Sequence, residues 1–461
     1  SLYAGNEGEE KVQKTFDFNF DGDEVKTVTE FDYPVDALDK STTYRAEANT
    51  GDIDTVVYTI LKSETYYIGN EGEEKSLLTN NYNFAGDTIK TSTVFTYNAE
   101  DELDRSTTYR GIVTRTEAEN SILDPADPNY AAITNTRKSI SLYAGNEGEE
   151  KVQKTFDFNF DGDEVKTVTE FDYPVDALDK STTYRAEANT GDIDTVVYTI
   201  LKSETYYIGN EGEEKSLLTN NYNFAGDTIK TSTVFTYNAE DELDRSTTYR
   251  GVVTRTEAEN SILDPADPNY AAITNTRKSI SLYAGNEGEE KVQKTFDFNF
   301  DGDEVKTVTE FDYPVDALDK STTYRAEANT GDIDTVVYTI LKSETYYIGN
   351  EGEEKSLLTN NYNFAGDTIK TSTVFTYNAE DELDRSTTYR GVVTRTEAEN
   401  SILDPADPNY AAITNTRKSI SLYAGNEGEE KVQKTFDFNF DGDEVKTVTE
   451  FDYPVDALIS R

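Results

Sequence analysis

The stretch EVKTVTEFDY, residues 24–33, decides the fold of this chain. If it is extended, one side carries Val25, Thr27, Thr29, Phe31 and Tyr33. The opposite side carries Lys26, Val28, Glu30 and Asp32. A two-residue period rich in β-branched and aromatic residues is typical of a strand with one packed face, and we expect the aromatic side to be that face. Residues 88–97, TIKTSTVFTY, repeat the pattern and predict a second such strand.

Short clusters of Gly, Asn and Asp separate the alternating stretches. The clusters lie at Gly8, Gly22, Ala37, Gly51, Gly72, Gly86 and Asp101. Glycine adopts positive φ without strain, and Asn and Asp tolerate it, so the clusters predict tight turns. Strands joined in this way form an antiparallel meander, and apolar residues at helical spacing are missing from the sequence. Parallel coils of about 20 to 30 residues are an alternative, because alternation looks the same in both.

The chain is a tandem repeat with a period of 140 residues. The run SLYAGNEGEE begins at Ser1 and returns at Ser141, Ser281 and Ser421. We therefore divide the chain into copies 1–140, 141–280 and 281–420 and a partial copy 421–461. The full copies differ at one position, Ile112, which is Val252 and Val392 later. Recent duplication, deliberate construction or the use of a consensus sequence would each explain this identity. Because residue 1 falls inside the repeat cycle, we expect the parent protein to be longer.

The number of strands constrains the architecture. Roughly nine strands per copy would give nearly thirty, whereas an open twisted sheet rarely exceeds about ten. If an aromatic face of that size were exposed to water, the chain would also aggregate. The predicted fold is therefore all-β, a repetitive antiparallel β-meander that curls into an elongated tube, spiral or solenoid-like array.

The charge excludes several classes of partner. The chain has 91 Asp and Glu against 43 Lys and Arg, a formal net charge of −48. This charge repels nucleic acid and anionic membrane surfaces, and no apolar run is long enough to insert into a membrane. The 32 Tyr and 22 Phe argue against a disordered chain. Because Cys and His are both missing, disulfides and thiolate or imidazole metal ligands are excluded.

Acidic turns are the candidate chemistry. Asp21 and Asp23 lie in the turn DGDE, and Asp124 and Asp127 lie in the segment DPADPN; each recurs every 140 residues. Carboxylate and carbonyl oxygens gathered on a loop are what calcium requires. The alternative is a solvated turn in which Asp serves turn formation and solubility. We predict no other cofactor.

Catalysis is not expected. An enzyme needs one pocket in which titratable groups have shifted pKa values, whereas every carboxylate here recurs in an identical sequence setting. Threonines in alternating strands suggest cross-strand hydrogen bonding rather than a ligand surface.

Two stretches resemble a known family. FTYNAEDELDRSTTY, residues 95–109, and FDYPVDALDKSTTY, residues 31–44, resemble the YD repeats of bacterial Rhs-type and teneurin-type proteins. The family's turn glycine is Asp101 here, and the Asp after Tyr is Asn98 or Pro34. The composition also resembles very large repetitive bacterial surface proteins. The resemblance implies hairpins in one long spiralling sheet and a secreted or surface scaffold.

These observations predict a structural or adhesive scaffold, extracellular or on the cell surface, that forms a filament, stalk or coat. Its partners would be neighbouring copies of the same protein, with the proline-containing insertion at residues 122–130 as a contact loop. Two alternatives are a multivalent binding array for glycans or cell surfaces and an engineered or consensus repeat without a ligand.

Overall fold

The computed structural model describes residues 1–6, 8–19, 22–47, 50–120, 132–133, 136–187, 190–260, 272–273, 276–314, 317–327, 330–400, 410–425 and 427–453. The strands in these ranges are β1 Leu2–Ala4, β2 Lys11–Phe18, β3 Val25–Asp32, β4 Lys40–Arg45, β5 Ile60–Ile68, β6 Lys75–Tyr82, β7 Ile89–Tyr97, β8 Leu103–Arg110, β9 Arg137–Ala144, β10 Lys151–Phe158, β11 Val165–Asp172, β12 Lys180–Arg185, β13 Ile200–Ile208, β14 Lys215–Tyr222, β15 Ile229–Tyr237, β16 Leu243–Arg250, β17 Arg277–Ala284, β18 Lys291–Phe298, β19 Val305–Asp312, β20 Lys320–Arg325, β21 Ile340–Ile348, β22 Lys355–Tyr362, β23 Ile369–Tyr377, β24 Leu383–Arg390, β25 Arg417–Ala424, β26 Lys431–Phe438 and β27 Val445–Glu450. The helices are α1 Arg115–Asn120, α2 Arg255–Asn260, α3 Arg395–Asn400 and α4 Tyr410–Thr414. Among these helices, none is long and apolar enough to cross a membrane.

The chain divides into two compact units. The first comprises residues 1–172, 181–201 and 379–381, and the second comprises residues 173–180, 202–378 and 382–461. In the first unit β1 to β11 pair in chain order, and in the second β13 to β27 do the same. All of these pairings are antiparallel. The predicted all-β antiparallel meander is confirmed, and the parallel-coil alternative is wrong.

Within the described residues each period contains eight strands, where we expected roughly nine. One period contains β2 to β9, the next β10 to β17, and the third β18 to β25. The described residues between β4 and β5, 46–47 and 50–59, form a loop. Their Val56 is buried against the sheet instead of extending it. The four-part division of the chain into copies stays a prediction.

The packed face of the sheet is the opposite of the one we expected. The most buried apolar strand residues of the first copy are Val28 and Leu78, both 0 % exposed, and Val94 at 1 %. Val28 lies on the side away from Thr29, whose hydroxyl is 2.9 Å from that of Thr43 on the next strand. The hydroxyl-bearing side therefore makes cross-strand hydrogen bonds, as predicted for the threonines. The sheet buries Val28 and Val94 because loop segments cover that side.

The first covering segment is the loop between β4 and β5. Its Val56 packs with Val25 and Val28 of β3, and its Tyr58 ring lies 5.6 Å from the ring of Tyr44. The backbone N–H of Val25 donates to the carbonyl of Thr50 at 2.8 Å, which fixes the loop over the strand. The same cluster recurs around Val168 and Val308.

The second covering segment contains helix α1. Val113, just before the helix, joins a cluster with Leu78, Val94 and Tyr109. Thr114 caps the helix: its backbone N–H donates to the Glu117 carboxylate at 2.8 Å, and its hydroxyl accepts the Glu117 N–H at 3.3 Å. This capping box was readable as Thr-x-x-Glu, but a six-residue helix is too short to show helical periodicity. Local segments thus hide the apolar face within each copy.

Candidate functional site

The predicted calcium residues fall mostly outside the described part of the chain. Asp21, Asp124 and Asp127 lie outside the described residues, and Asp23 lies within them. The Asn19 side-chain amide donates to the Asp23 carboxylate at 2.8 Å, and the Asn19 side-chain oxygen accepts the Asp23 N–H at 3.0 Å. Asp23 therefore closes its own turn. Among the described residues no three carboxylates are placed to hold a metal ion, and the calcium site stays a prediction.

Calcium binding has a direct thermodynamic test. If the acidic turns bind the ion in the folded state only, millimolar calcium raises the melting temperature and a chelator lowers it. The variants Asp163→Asn, Asp303→Asn and Asp443→Asn remove one carboxylate from each described later copy of the turn and should reduce the shift. Magnesium at equal ionic strength is the control, because it screens charge without favouring the larger coordination shell. Equal shifts with both ions would contradict a calcium site.

Lysine clasps connect successive turns at one end of the strands. The Lys75 ammonium lies 2.7 Å from the Glu147 carboxylate and 3.4 Å from that of Asp101, and the Lys11 ammonium lies 2.8 Å from Glu71. The Glu147 contact raises the pKa of Lys75. The glutamates Glu71 and Glu147 of two GNEG turns thus bind the lysine at the start of an earlier strand. These lysines had no predicted role.

The same turns also bind backbone. The Glu150 carboxylate accepts the Leu103 N–H at 2.8 Å, and this hydrogen bond lowers the pKa of Glu150. Glu74 accepts the Leu38 N–H in the same way at 3.0 Å. The glycine before each turn is required: at Gly69, φ is +118°, and a Cβ would lie 2.3 Å from the Glu73 carbonyl oxygen. The GNEG turns and the glutamates that follow them are therefore structural connectors between hairpins.

Turns at the other end of the strands expose phenylalanine. In the sequence NFAGD the Asn83 side-chain oxygen accepts the Asp87 N–H at 3.1 Å and the Thr88 N–H at 3.3 Å. This arrangement leaves the next residue at the tip, and the exposed fractions of Phe84, Phe224 and Phe364 are 41 %, 79 % and 87 %. An apolar ring in an otherwise polar turn is the sequence signal for this feature.

Lysine, glutamate and tyrosine form a half-buried network on the covered face. Lys40 and Tyr82 both donate to the Glu64 carboxylate, the latter at 2.6 Å. Burial opposes ionisation of Glu64, but these two donors hold its pKa below the usual range. Burial and the Glu64 charge raise the pKa of Tyr82. The network recurs with Lys180, Glu204 and Tyr222, so it is a structural element of each copy.

Half-buried tyrosines predict cooperative alkaline unfolding. Burial, followed by the charge of a nearby glutamate, raises the pKa of Tyr237 and of Tyr313 to about 12 from the ordinary value of about 10. A raised pKa means that the folded state holds the proton more tightly, so its stabilisation is complete below pH ~10 and is lost between pH ~10 and ~12. We expect tyrosinate absorbance and loss of the β circular dichroism signal to change together in that window. Gradual ionisation near pH ~10 with the β signal intact would contradict this.

An open cavity lies beside one lysine clasp in the second unit. Its volume is about 550 Å³, and its lining includes Tyr283, Tyr313, Lys291, Glu290 and Glu354. Aromatic faces beside carboxylates are suited to sugar rings, which stack and donate hydroxyl hydrogen bonds.

Comparisons with known proteins give structural likeness only. No protein-family model matches the chain, and no curated protein matches it. The crystal structure of TcdB2-TccC3 aligns over 94 % of this chain and 23 % of its own, with 10 % identity and a TM-score of 0.26. A Photorhabdus luminescens Tc holotoxin pore aligns over 94 % and 21 %, with 12 % identity and a TM-score of 0.24.

A porin-like protein from Bacteroides uniformis aligns over 60 % of this chain and 92 % of its own, with 9 % identity and a TM-score of 0.18. This chain spans less than a quarter of the length of the two toxin chains. At these scores the alignments carry no argument about function. The assignment of a repeat-type β-structure rests on the strand pairings.

Proposed function

We propose that this chain is a YD-repeat-like segment of an exported structural and adhesive scaffold, which acts at the cell surface or outside the cell as a filament, stalk or coat. One observation supports this role: strands cross the boundaries between copies. β9 contains Ile140 and Ser141, the last and first residues of two copies, and pairs with β8 before it and β10 after it. β17 does the same with β16 and β18. Backbone hydrogen bonds therefore join one copy to the next.

This connection makes the number of copies adjustable. Each copy hides its own apolar residues beneath the loop that carries Val56 and beneath α1, so adding a copy adds a complete core and one interface between copies. Stability is then the sum of copies and neighbouring contacts. Small-angle scattering of chains with two, three and five copies tests the role: the maximum dimension should grow in proportion to copy number. A dimension that grows as the cube root of mass would contradict an extended scaffold.

The proposed location and the absence of enzymatic activity follow from the same role. The net charge of −48 keeps a long object soluble and repels anionic surfaces. The identical carboxylates of successive copies serve as turn connectors rather than as one perturbed pair. Antibody labelling of intact and permeabilised source cells tests the location; labelling only after permeabilisation would contradict export.

A multivalent glycan-binding array is the second candidate. The cavity beside Tyr283 and Tyr313 supports it, since two aromatic rings and Glu354 line one opening. A repeated weak site gains apparent affinity through multivalency. Retention of a sugar on a glycan panel, lost in Tyr313→Ala, would favour this function over a purely structural one.

A further inference from the structure

Tyrosine is the side chain of this protein that oxidants attack most readily. The sequence has 32 Tyr and lacks Cys, Met, Trp and His, which are the other readily oxidised residue types. A phenol that loses one electron and its proton becomes a phenoxyl radical, whose unpaired electron is shared with the ring carbons beside the hydroxyl. Two such radicals in contact form a carbon–carbon bond.

Each full copy places two tyrosine rings in contact. Tyr44 lies on β4, and Tyr58 lies in the loop that covers the sheet; their ring centroids are 5.6 Å apart and their planes are tilted by 57°. Both rings are half-buried. Centroids at this distance belong to rings that touch, since contacting aromatic pairs lie about 4.5–7 Å apart. The later copies repeat the pair with the same 5.6 Å separation, at Tyr184 with Tyr198 and at Tyr324 with Tyr338.

The Tyr58 hydroxyl is hydrogen-bonded to a base. It donates to the Glu30 carboxylate at 3.1 Å, and the Lys14 ammonium lies 2.8 Å from the same carboxylate. The hydrogen bond from Lys14 lowers the pKa of Glu30, so the carboxylate is charged at neutral pH. An oxidised phenol is a far stronger acid than a phenol, and a base in hydrogen-bond contact accepts its proton as the electron leaves. Tyr198 and Tyr338 donate to Glu170 and Glu310 in the same way, each at 3.0 Å.

We propose that Tyr44 and Tyr58, with their equivalents in the later copies, are an oxidative cross-linking site that forms dityrosine. Two equivalents of a one-electron oxidant each gain an electron, one from each ring. The Tyr58 proton passes to Glu30, and the Tyr44 proton passes to solvent. A bond forms between one ring carbon beside each hydroxyl. The hydrogens of those two carbons then move to the oxygens and restore the hydroxyls, so the chain loses two hydrogen atoms in all. This site goes beyond the proposed scaffold function and does not depend on it.

The cross-link ties the covering loop to the sheet. Tyr58 is two residues from Val56, which packs on Val25 and Val28, and Tyr44 lies opposite Val28 on the next strand. A bond between the two rings therefore holds Val56 over the buried face. It also closes a short loop of chain, which removes conformational freedom from the unfolded state as a disulfide does. In a chain without Cys, tyrosine coupling supplies this kind of covalent link.

Oxidation of the whole chain with photoexcited tris(bipyridine)ruthenium and persulfate tests the site, because the oxidised metal complex removes single electrons from phenols. After trypsin, residues 46–62 form a peptide whose one tyrosine is Tyr58, and residues 41–45 form a peptide whose one tyrosine is Tyr44. We expect these two peptides joined, with the loss of two hydrogen atoms, in chains that electrophoresis shows to be monomeric. Concentrated urea should reduce the yield at least about fivefold, because separated rings meet only by diffusion of the chain.

Matched variants identify the residues. Residues 106–110 give the same tryptic sequence as residues 41–45, so the first variant must remove the first tyrosine of every pair. That variant, Tyr44→Phe/Tyr184→Phe/Tyr324→Phe, should abolish the joined peptide. The control Tyr97→Phe/Tyr237→Phe/Tyr377→Phe removes as many half-buried tyrosines and should leave the yield unchanged. Circular dichroism verifies that each variant is folded. An undiminished yield in the first variant, or an equal loss in both, would overturn the proposal.

The carboxylate has a separate test. The variant Glu30→Gln/Glu170→Gln/Glu310→Gln keeps a hydrogen-bond acceptor for each tyrosine hydroxyl but removes the base. It should slow formation of the joined peptide at least about tenfold. An equal rate would overturn the part assigned to Glu30. None of these results changes the growth of the scattering dimension with copy number, so the scaffold function would fail only by its own test.

Discussion

Replacing Phe296 by alanine is expected to lower the free energy of unfolding of its copy by about 3–5 kcal/mol. Phe296 is 3 % exposed and packs with Phe298, Val305 and Val308 beneath the loop that carries Val336. Truncation removes the ring from a close-packed cluster and leaves a cavity that the flanking strands cannot close, because their register is fixed by backbone hydrogen bonds. Urea unfolding followed by circular dichroism measures the loss.

The matched control lies four residues further along. Phe300→Ala makes the same chemical change at a ring that is 83 % exposed and contacts the Arg250 guanidinium at 5.7 Å from the ring centroid. An exposed contact of this kind contributes about 0.5–1 kcal/mol. Similar unfolding midpoints for the two variants would show that residues 326–338 do not cover the sheet as described.

The second prediction concerns a buried polar junction behind the helix. Ser232 is 0 % exposed; its hydroxyl lies 2.6 Å from the Asn220 side-chain oxygen and accepts the Val253 N–H at 2.9 Å. Ser232→Ala leaves both partners buried without this hydrogen bond. The expected cost is about 1–3 kcal/mol, because an unsatisfied buried group keeps its full desolvation penalty.

The adjacent residue provides the comparison. The Thr233 hydroxyl lies 2.9 Å from that of Thr248 on the hydroxyl-bearing side of the sheet, where both residues are only half-buried. Thr233→Val preserves the shape and removes one such bond, so we expect a loss below about 1 kcal/mol. Urea midpoints of the two variants report the difference, and hydrogen exchange of the Val253 amide reports whether the covering segment opens. An unchanged Val253 exchange rate in Ser232→Ala would contradict the junction.

Together these predictions place the main stabilising contacts inside each copy rather than at its ends. The covering segments supply local cores, and strands such as β9 supply continuity. A copy weakened at Phe296 should therefore unfold before its neighbours, as in other repeat proteins in which nearest-neighbour terms dominate.

The amino-acid sequence alone determined the repeat period, the strands and the turns. Alternation in residues 24–33 and 88–97 requires extended backbone, and Gly69 and Gly72 adopt the positive φ that their turns demand. These features are local, since strand period and turn chemistry depend on residues next to one another. The capping box at Thr114 was equally local and could have been predicted.

Only the tertiary structure decided which face of the sheet is packed and which segments cover it. An alternating strand has two faces, and the face that carries Val28 is the buried one. The reason is that Val56, which lies in a loop later in the chain, covers it. A register shift at Phe18 then places Val25 in the same cluster. The loop between β4 and β5 thus packs on β3, beyond its neighbour β4. Such pairings depend on where the sheet carries distant segments, and no local pattern in the sequence encodes that.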